Sequence, residues 1–262
     1  MMWTDIPAPE AHSRLTKALQ DLGSVTDPTV TSVAEATGDP SRPWRDCQSL
    51  VTVAGSFNPL HWAHLELLAC GISTVSADAG AFILSPNTVD KMRPLGMDLV
   101  DRAWTTQTTL DWASMHDTRL ARASLSGLLV SHGLYVDQAR ALRHACANLS
   151  EAGLWFVVGF DKIVQIFNPR YYTDRTTSLG TLFALAGFLV APRDEATHAD
   201  LANLLATPQN LPYATRVRPI ELPATLASVA STGIRARASF GTTLSDDVPP
   251  PVAAMIETRH CY

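Results

Sequence analysis

The run Val51 to Leu68, VTVAGSFNPLHWAHLELL, restricts the possible folds of this chain more than any other stretch. It opens with small and β-branched residues in the pattern of a buried strand, breaks at Gly55 and Ser56, and resumes after Pro59 with apolar residues at helical spacing. A strand, a tight turn and a helix start are therefore predicted. His61 and His64 stand three residues apart at the helix opening, so both fall on one side of the first turn. Beside them lie the free backbone N–H groups and the positive end of the helix dipole, where a phosphate binds with least help. Gly55, with no side chain, lets a ligand approach the backbone of the turn. The combination points to a nucleoside triphosphate, held through Gly55, Ser56, Phe57 and Asn58 and the two imidazoles.

The remainder of the chain supplies a setting for such a turn. At 262 residues and 46% hydrophobic content it has enough apolar material for a substantial core. Gly80 to Leu84, Arg119 to Ser124, Leu154 to Val158, Phe188 to Ala191 and Arg216 to Ile220 are predicted as further strands. Helices are predicted at Ala11 to Leu22, from the first motif to about Cys70, at Leu99 to Trp112, at Val136 to Ala147 and at Val252 to Thr258. Alternation of strands with helices implies an α/β fold: a Rossmann-like, doubly wound parallel sheet whose ligands sit beyond the carboxyl ends of the strands. Residues 1–46 are expected as an N-terminal helical extension that covers the main domain, residues 47–262. No internal repeat is evident.

Composition removes several classes of function. Twenty Lys and Arg against 25 Asp and Glu give no overall positive field for a nucleic acid polymer, so any charge that meets phosphate has to be local. The first residues have neither a basic start nor the apolar centre of a signal peptide, and the longest apolar run, Leu179 to Ala191, is short for a membrane span. A soluble, cytoplasmic protein with no membrane partner is expected. Cys47, Cys70, Cys146 and Cys261 are scattered without a CxxC pair, which suggests neither a zinc site nor a disulfide framework. The histidine pair also lacks the Glu of an HExxH element, so no protein-held metal is expected.

The first motif lacks the Lys-Ser/Thr pair of a Walker loop and the three glycines of the dinucleotide fingerprint. It resembles instead the HxGH nucleotidylyltransferases, in particular the nicotinamide mononucleotide adenylyltransferases, whose first strand ends in GSFNPxHxGH. This chain has GSFNPLHWAH, with Ala63 in place of the glycine, which is similar to the fungal branch with FNPPxxAH. The resemblance covers most of residues 51–260 and implies roles for residues that would otherwise pass as ordinary. STGIR, Ser231 to Arg235, alone reads as a capped surface helix; it is similar to the family's ISSTxIR, here VASTGIR with Ala230 for one serine. By that likeness Ser231 and Thr232 hold phosphates and Arg235 neutralises the leaving group. Gly159 and Asp161, after the apolar strand, match a GxD that supports ribose recognition, although an Asp there is equally an ordinary helix cap. The continuation toward Arg170, Tyr171 and Tyr172 again resembles the fungal branch, with Lys162 and Gln165 where that branch has Thr and Arg. Lys91 and Arg102, each by itself a solvent residue, take the places of a phosphate-reaching lysine and an arginine that follows it. Trp104 is a candidate to stack on a pyridine ring, although tryptophans are more often core.

The activity implied is adenylyl transfer: the 5′-phosphate of nicotinamide mononucleotide attacks the α phosphorus of ATP in line, giving NAD and pyrophosphate. Catalysis then rests on positioning two anions and stabilising the leaving pyrophosphate, with His61, His64, Lys91 and Arg235 as the acting side chains and Arg102 and Trp104 toward the acceptor. Mg²⁺ is expected to arrive on the ATP phosphates. ATP and a pyridine mononucleotide are the expected partners, and a homo-oligomer is left open. Other acceptors fit the same fold: nicotinate mononucleotide, pantetheine phosphate, or a CTP-dependent alcohol phosphate. A nucleotide-binding regulator without turnover is the reading from another class.

Overall fold

Leu50–Ala54 is the middle strand of a seven-stranded sheet in the computed structural model, which describes residues 6–38, 43–86, 96–191, 198–227, 229–239, 244 and 246–262. In chain order the strands are β1 (Val30–Ser32), β2 (Leu50–Ala54), β3 (Ala79–Leu84), β4 (Ser124–Val130), β5 (Leu154–Gly159), β6 (Gly187–Ala191) and β7 (Val217–Pro219). The helices are α1 (Pro9–Ser24), α2 (Val33–Thr37), α3 (Trp62–Val75), α4 (Leu99–His116), α5 (Tyr135–Ala145), α6 (Phe160–Phe167), α7 (Arg175–Leu185), α8 (His198–Ala206), α9 (Ala224–Ala227), α10 (Ser231–Ala238) and α11 (Pro250–Arg259). The spatial order is β1-β4-β3-β2-β5-β6-β7, parallel throughout except for β1 against β4.

Alternation of side chains divides the core in two. Val51, Val53, Phe82, Leu84, Trp155, Val157 and Leu189 face one layer, with α1, α3, α4, α10 and α11 packed on it. Leu50, Ala81, Ile83, Phe156, Val158, Phe188 and Val190 face the other, covered by α5, α6, α7 and α8. Burial on both faces explains why β3 and β6 are buried at every position and read as continuous apolar runs. From β2 the chain winds outward through β3 and β4, then returns across to β5, β6 and β7. The order therefore reverses between β2 and β5, the place where open α/β sheets form a ligand crevice.

Two expectations change. The strand predicted at Arg119 to Ser124 is displaced: Leu120–Arg122 is a 3₁₀ turn, and the strand is Ser124–Val130. Ser126 and Gly127 obscured it, and packing explains them. A Cβ on Gly127 would stand 2.9 Å from the Thr106 hydroxyl of α4, and the Gly127 N–H donates to Gln107 Oε1 at 2.9 Å. The close approach of α4 requires small residues in this strand. The N-terminal segment, expected as a helical cover, also contributes a strand. β1 pairs with the outer edge of β4, and Leu15, Leu19 and Leu22 of α1 enter the same core as β2. Arg45 closes this segment by a 2.6 Å contact with Glu35, whose carboxylate also caps α2. Among the described residues no helix is long and apolar enough to cross a membrane.

Candidate active site

The turn after β2 is built by contacts that fix its backbone. The Gly55 N–H donates to the Ile83 carbonyl at 3.1 Å, extending the β3 pairing by one residue. Gly55 must stay small because a Cβ there would lie 3.0–3.3 Å from the Phe57 ring. Phe57 has φ of 44°, a left-handed backbone costly for an aromatic residue. Its ring compensates by burial at 1% exposure, packing against Phe82 at 4.9 Å and presenting an edge to His64 at 5.0 Å. The Asn58–Pro59 peptide bond is cis. Three side chains from two helices then hold carbonyls of the turn: Arg102 of α4 reaches Ser56 O at 2.9 Å, Arg235 of α10 reaches Asn58 O at 2.7 Å, and the Ser231 hydroxyl at the start of α10 reaches Pro59 O at 2.9 Å.

His61 caps α3 and His64 occupies its first turn, with the two rings stacked at 3.7 Å. The His61 backbone N–H donates to His64 Nδ1 at 3.2 Å. An imidazole nitrogen that accepts carries no proton, so His64 is left with Nε2–H as its outward donor. Burial pushes the His61 pKa down to about 4, opposed in part by the Asp247 carboxylate. His64 is lowered well below the usual imidazole value by burial and by the neighbouring His61. His61 Nδ1 is buried with no partner inside the protein. The pair thus offers neutral hydrogen-bond donors, and fixed positive charge comes from elsewhere.

That charge lies on α10. Its N-cap residue is Ala230, which makes no side-chain cap, so the helix start is not closed by a serine or threonine oxygen of its own. Arg235 joins Asn58 O to the Thr232 hydroxyl, the latter at 3.2 Å. The two sequence motifs are therefore physically joined, by a bond between residues 177 positions apart. On the other side of the turn, β2 pairs with β5 at a constant offset, Leu50 with Leu154 through Val53 with Val157, which sets Gly55 level with Gly159. A Cβ on Gly159 would meet nothing within 4 Å, and Asp161 is exposed in the first turn of α6. The glycine turn, the histidines, the α10 arginine and the GFD segment all flank the β2/β5 reversal point.

No protein-family model matches the chain. A sequence relative, described as a probable nicotinate-nucleotide adenylyltransferase from Desulfotalea psychrophila, is 23% identical over 214 residues, covering 79% of this chain and 96% of the relative. Two structures of Plasmodium falciparum nicotinic acid mononucleotide adenylyltransferase superpose on it. The complex with APC gives a TM-score of 0.51 at 11% identity and the complex with NaAD gives 0.56 at 13%, each covering 81% of this chain and 96% of the other. The chain has the nucleotidylyltransferase fold. By their names, the relative and both fold neighbours are adenylyltransferases, a nucleotidyltransferase class.

Within this nucleotidylyltransferase fold the other expected residues divide. Arg102 is at the site, but its guanidinium is spent on Ser56 O and on Asp98 O at 3.2 Å, so it positions the turn from below. Trp104 is corrected: it is 2% exposed within the core beneath α4, because its place on the helix faces the sheet, and it offers no open ring face. Lys91 lies outside the described residues. Lys162 and Gln165, which replace Thr and Arg of the fungal pattern, bond to each other at 2.9 Å. Among the described residues no three His, Cys, Asp or Glu side chains gather to hold a metal ion. The donors round the turn are imidazole, guanidinium and hydroxyl groups, a set that fits magnesium carried on nucleotide phosphates rather than one caged by protein.

Two residues at the site escaped the sequence reading. Asp247 accepts the Trp62 N–H on its backbone carbonyl at 3.3 Å and pairs its carboxylate with Arg237 at 2.5 Å. Tyr262 donates its hydroxyl to Asn58 Oδ1 at 2.5 Å. Neither belongs to a motif; both arrive through the tertiary fold.

Proposed function

We propose that this chain transfers the adenylyl group of ATP to a pyridine mononucleotide in NAD biosynthesis, acting as a cytoplasmic enzyme. The observation that carries the reading is the 2.7 Å bond from Arg235 to the Asn58 carbonyl, which puts the STGIR helix start against the turn that bears His61 and His64. An acceptor phosphate oxygen attacks the α phosphorus, a new P–O bond forms, and the bond to pyrophosphate breaks. A phosphate monoester is already ionised near neutral pH, so no general base is required. His64 donates Nε2–H to phosphate oxygens, with His61 beside it. Arg235 and Thr232, at the open start of α10, meet the charge that grows on the β and γ phosphates. Lys91 is assigned to the same phosphates, and Gly159 and Asp161 to the ribose hydroxyls. Magnesium bound with ATP supplies further neutralisation of those phosphates.

Nicotinate mononucleotide is the first acceptor in this reading, because the sequence relative and the fold neighbours carry that substrate in their names. Nicotinamide mononucleotide is kept as the second, favoured by the fungal-type pattern of Ala63 and of the segment from Gly159 to Tyr172. Incubation with ATP, Mg²⁺ and each acceptor in turn, following pyrophosphate, separates them. Release with either pyridine mononucleotide, abolished by His64→Ala in a folded protein, is the expected result. ATP binding without pyrophosphate from any acceptor would move the assignment to a nucleotide-binding regulator.

A further inference from the structure

Tyr262 touches both loops that flank the proposed triphosphate site. Its hydroxyl donates to Asn58 Oδ1 at 2.5 Å. Its ring lies over Gly96, where φ is 117° and a Cβ would stand 2.1 Å from the ring and 2.9 Å from Asn58 Oδ1. Gly96 is thus needed twice, for its backbone and for the ring above it. Arg102 and Arg235 both face the phenol, and burial raises its pKa despite them, so it remains a protonated donor. The ring reaches this place because α11 is anchored on both sides: Val252 and Met255 are fully buried, and Arg259 pairs with buried Asp101 of α4 at 3.0 Å. His260, with φ of 50°, then turns the chain back toward the turn after β2.

Asn58 is the connecting piece. Its side chain is taken by Tyr262 and its carbonyl by Arg235. A rotation of Asn58 would move the carbonyl on which the guanidinium rests. We propose that Tyr262 is a positioning residue for triphosphate: by holding Asn58 against Gly96 it fixes the direction of Arg235 toward the leaving phosphates. The ligand chemistry rests on the adenylyltransferase reading; the linkage from Tyr262 to Arg235 does not.

The test compares wild type, Tyr262→Phe, Arg235→Gln and the double variant for binding of Mg²⁺–ATP by calorimetry and for pyrophosphate release with nicotinate mononucleotide. Loss of the hydroxyl is expected to lower kcat about tenfold, with KM for the mononucleotide little changed and the ring's packing intact. Because Tyr262 works through Arg235, the phenylalanine change is expected to cost almost nothing further in the Arg235→Gln background, in affinity as in rate. Asn58→Ser, which removes the acceptor, gives the same non-additivity from the other side and decides the matter if Tyr262→Phe melts early. Additive losses, or Tyr262→Phe with wild-type affinity and kcat, overturn the proposal. If wild type binds ATP but turns over no acceptor, the adenylyltransferase reading fails and the four affinities still decide the role of Tyr262. Wild type that binds no ATP overturns both.

Discussion

Acidification from pH 7 to pH 5 should weaken the fold through the histidine pair, by an amount that can be worked out for His61. Burial holds its folded pKa at about 4, whereas an imidazole in the unfolded chain titrates near about 6.5. Between these values the unfolded chain binds a proton that the folded chain refuses, so stability is full above the unfolded value, falls as the pH is lowered, and stops falling below about 4. At pH 7 the difference amounts to about 0.2 kcal/mol and at pH 5 to about 2 kcal/mol, so the fall across the interval is about 1.8 kcal/mol from this one group. His64 moves in the same direction, and its ring stacked at 3.7 Å on His61 makes a second proton harder still to accept. The groups that oppose the effect are few: the Asp247 carboxylate favours a charged His61, but it is already paired with Arg237 at 2.5 Å.

Urea unfolding at both pH values, for wild type and for His61→Asn, isolates the contribution, since the carboxylates titrate alike in the two proteins. The wild type is expected to lose about 2 kcal/mol more than the variant over the interval. Parallel losses would mean that His61 is charged or exposed in the folded state, and the description of the pair as neutral donors would be wrong. A linked expectation concerns ligands: a bound triphosphate favours the imidazolium form, so saturating ATP should flatten the same pH dependence.

Three more predictions follow from packing and from the carbonyl contacts. Gly71→Ala should destabilise by about 1–3 kcal/mol in urea, because the new Cβ would lie 2.8 Å from Val51 and 2.9 Å from Val157, pushing α3 off the two strands that border the crevice. Leu15→Ala should cost about 2–5 kcal/mol and leave a single unfolding transition, because Leu15 of α1 is fully buried in the core shared with β2; a separate early transition would show an independent extension. Arg102→Gln should reduce turnover about tenfold at nearly unchanged KM for the mononucleotide, as expected for a residue that holds Ser56 O and does not touch the acceptor.

Much of the architecture could be read from the chain because buried parallel strands advertise themselves. The apolar runs of β3, β5 and β6 are buried along nearly their whole length, and their boundaries fall within a residue or so of expectation. β4 was misplaced for the opposite reason: Ser126 and Gly127 are small to admit α4, so close packing removed the apolar signal that marks a strand. β1 was hidden by length, since its three residues have no period to detect. α4 carries four buried threonines, and its periodicity survived because hydroxyls such as Thr105 and Thr106 return their hydrogen bonds to the helix's own carbonyls, at 2.9 and 2.7 Å.

The site was legible where chemistry is local and illegible where it passes through the backbone. His61 and His64 stand three residues apart, so spacing predicts that they share one side of the first turn, and in the structure their rings stack at 3.7 Å. Spacing does not predict that they are neutral; that follows from burial and from the amide bonded to His64 Nδ1. Arg102 and Arg235 are read from the sequence as ligand-facing residues, and the structure adds that both grip carbonyls of the GSFNP turn. A carbonyl is the same whatever residue bears it, so no sequence pattern records which one a guanidinium will hold. The consequence is specific: Ser56, Asn58 and Pro59 are oriented from two helices far away in the chain, and the geometry of the turn is a property of α4 and α10 as much as of its own residues. Substitutions in those helices should therefore perturb phosphate chemistry while the GSFNP sequence stays untouched.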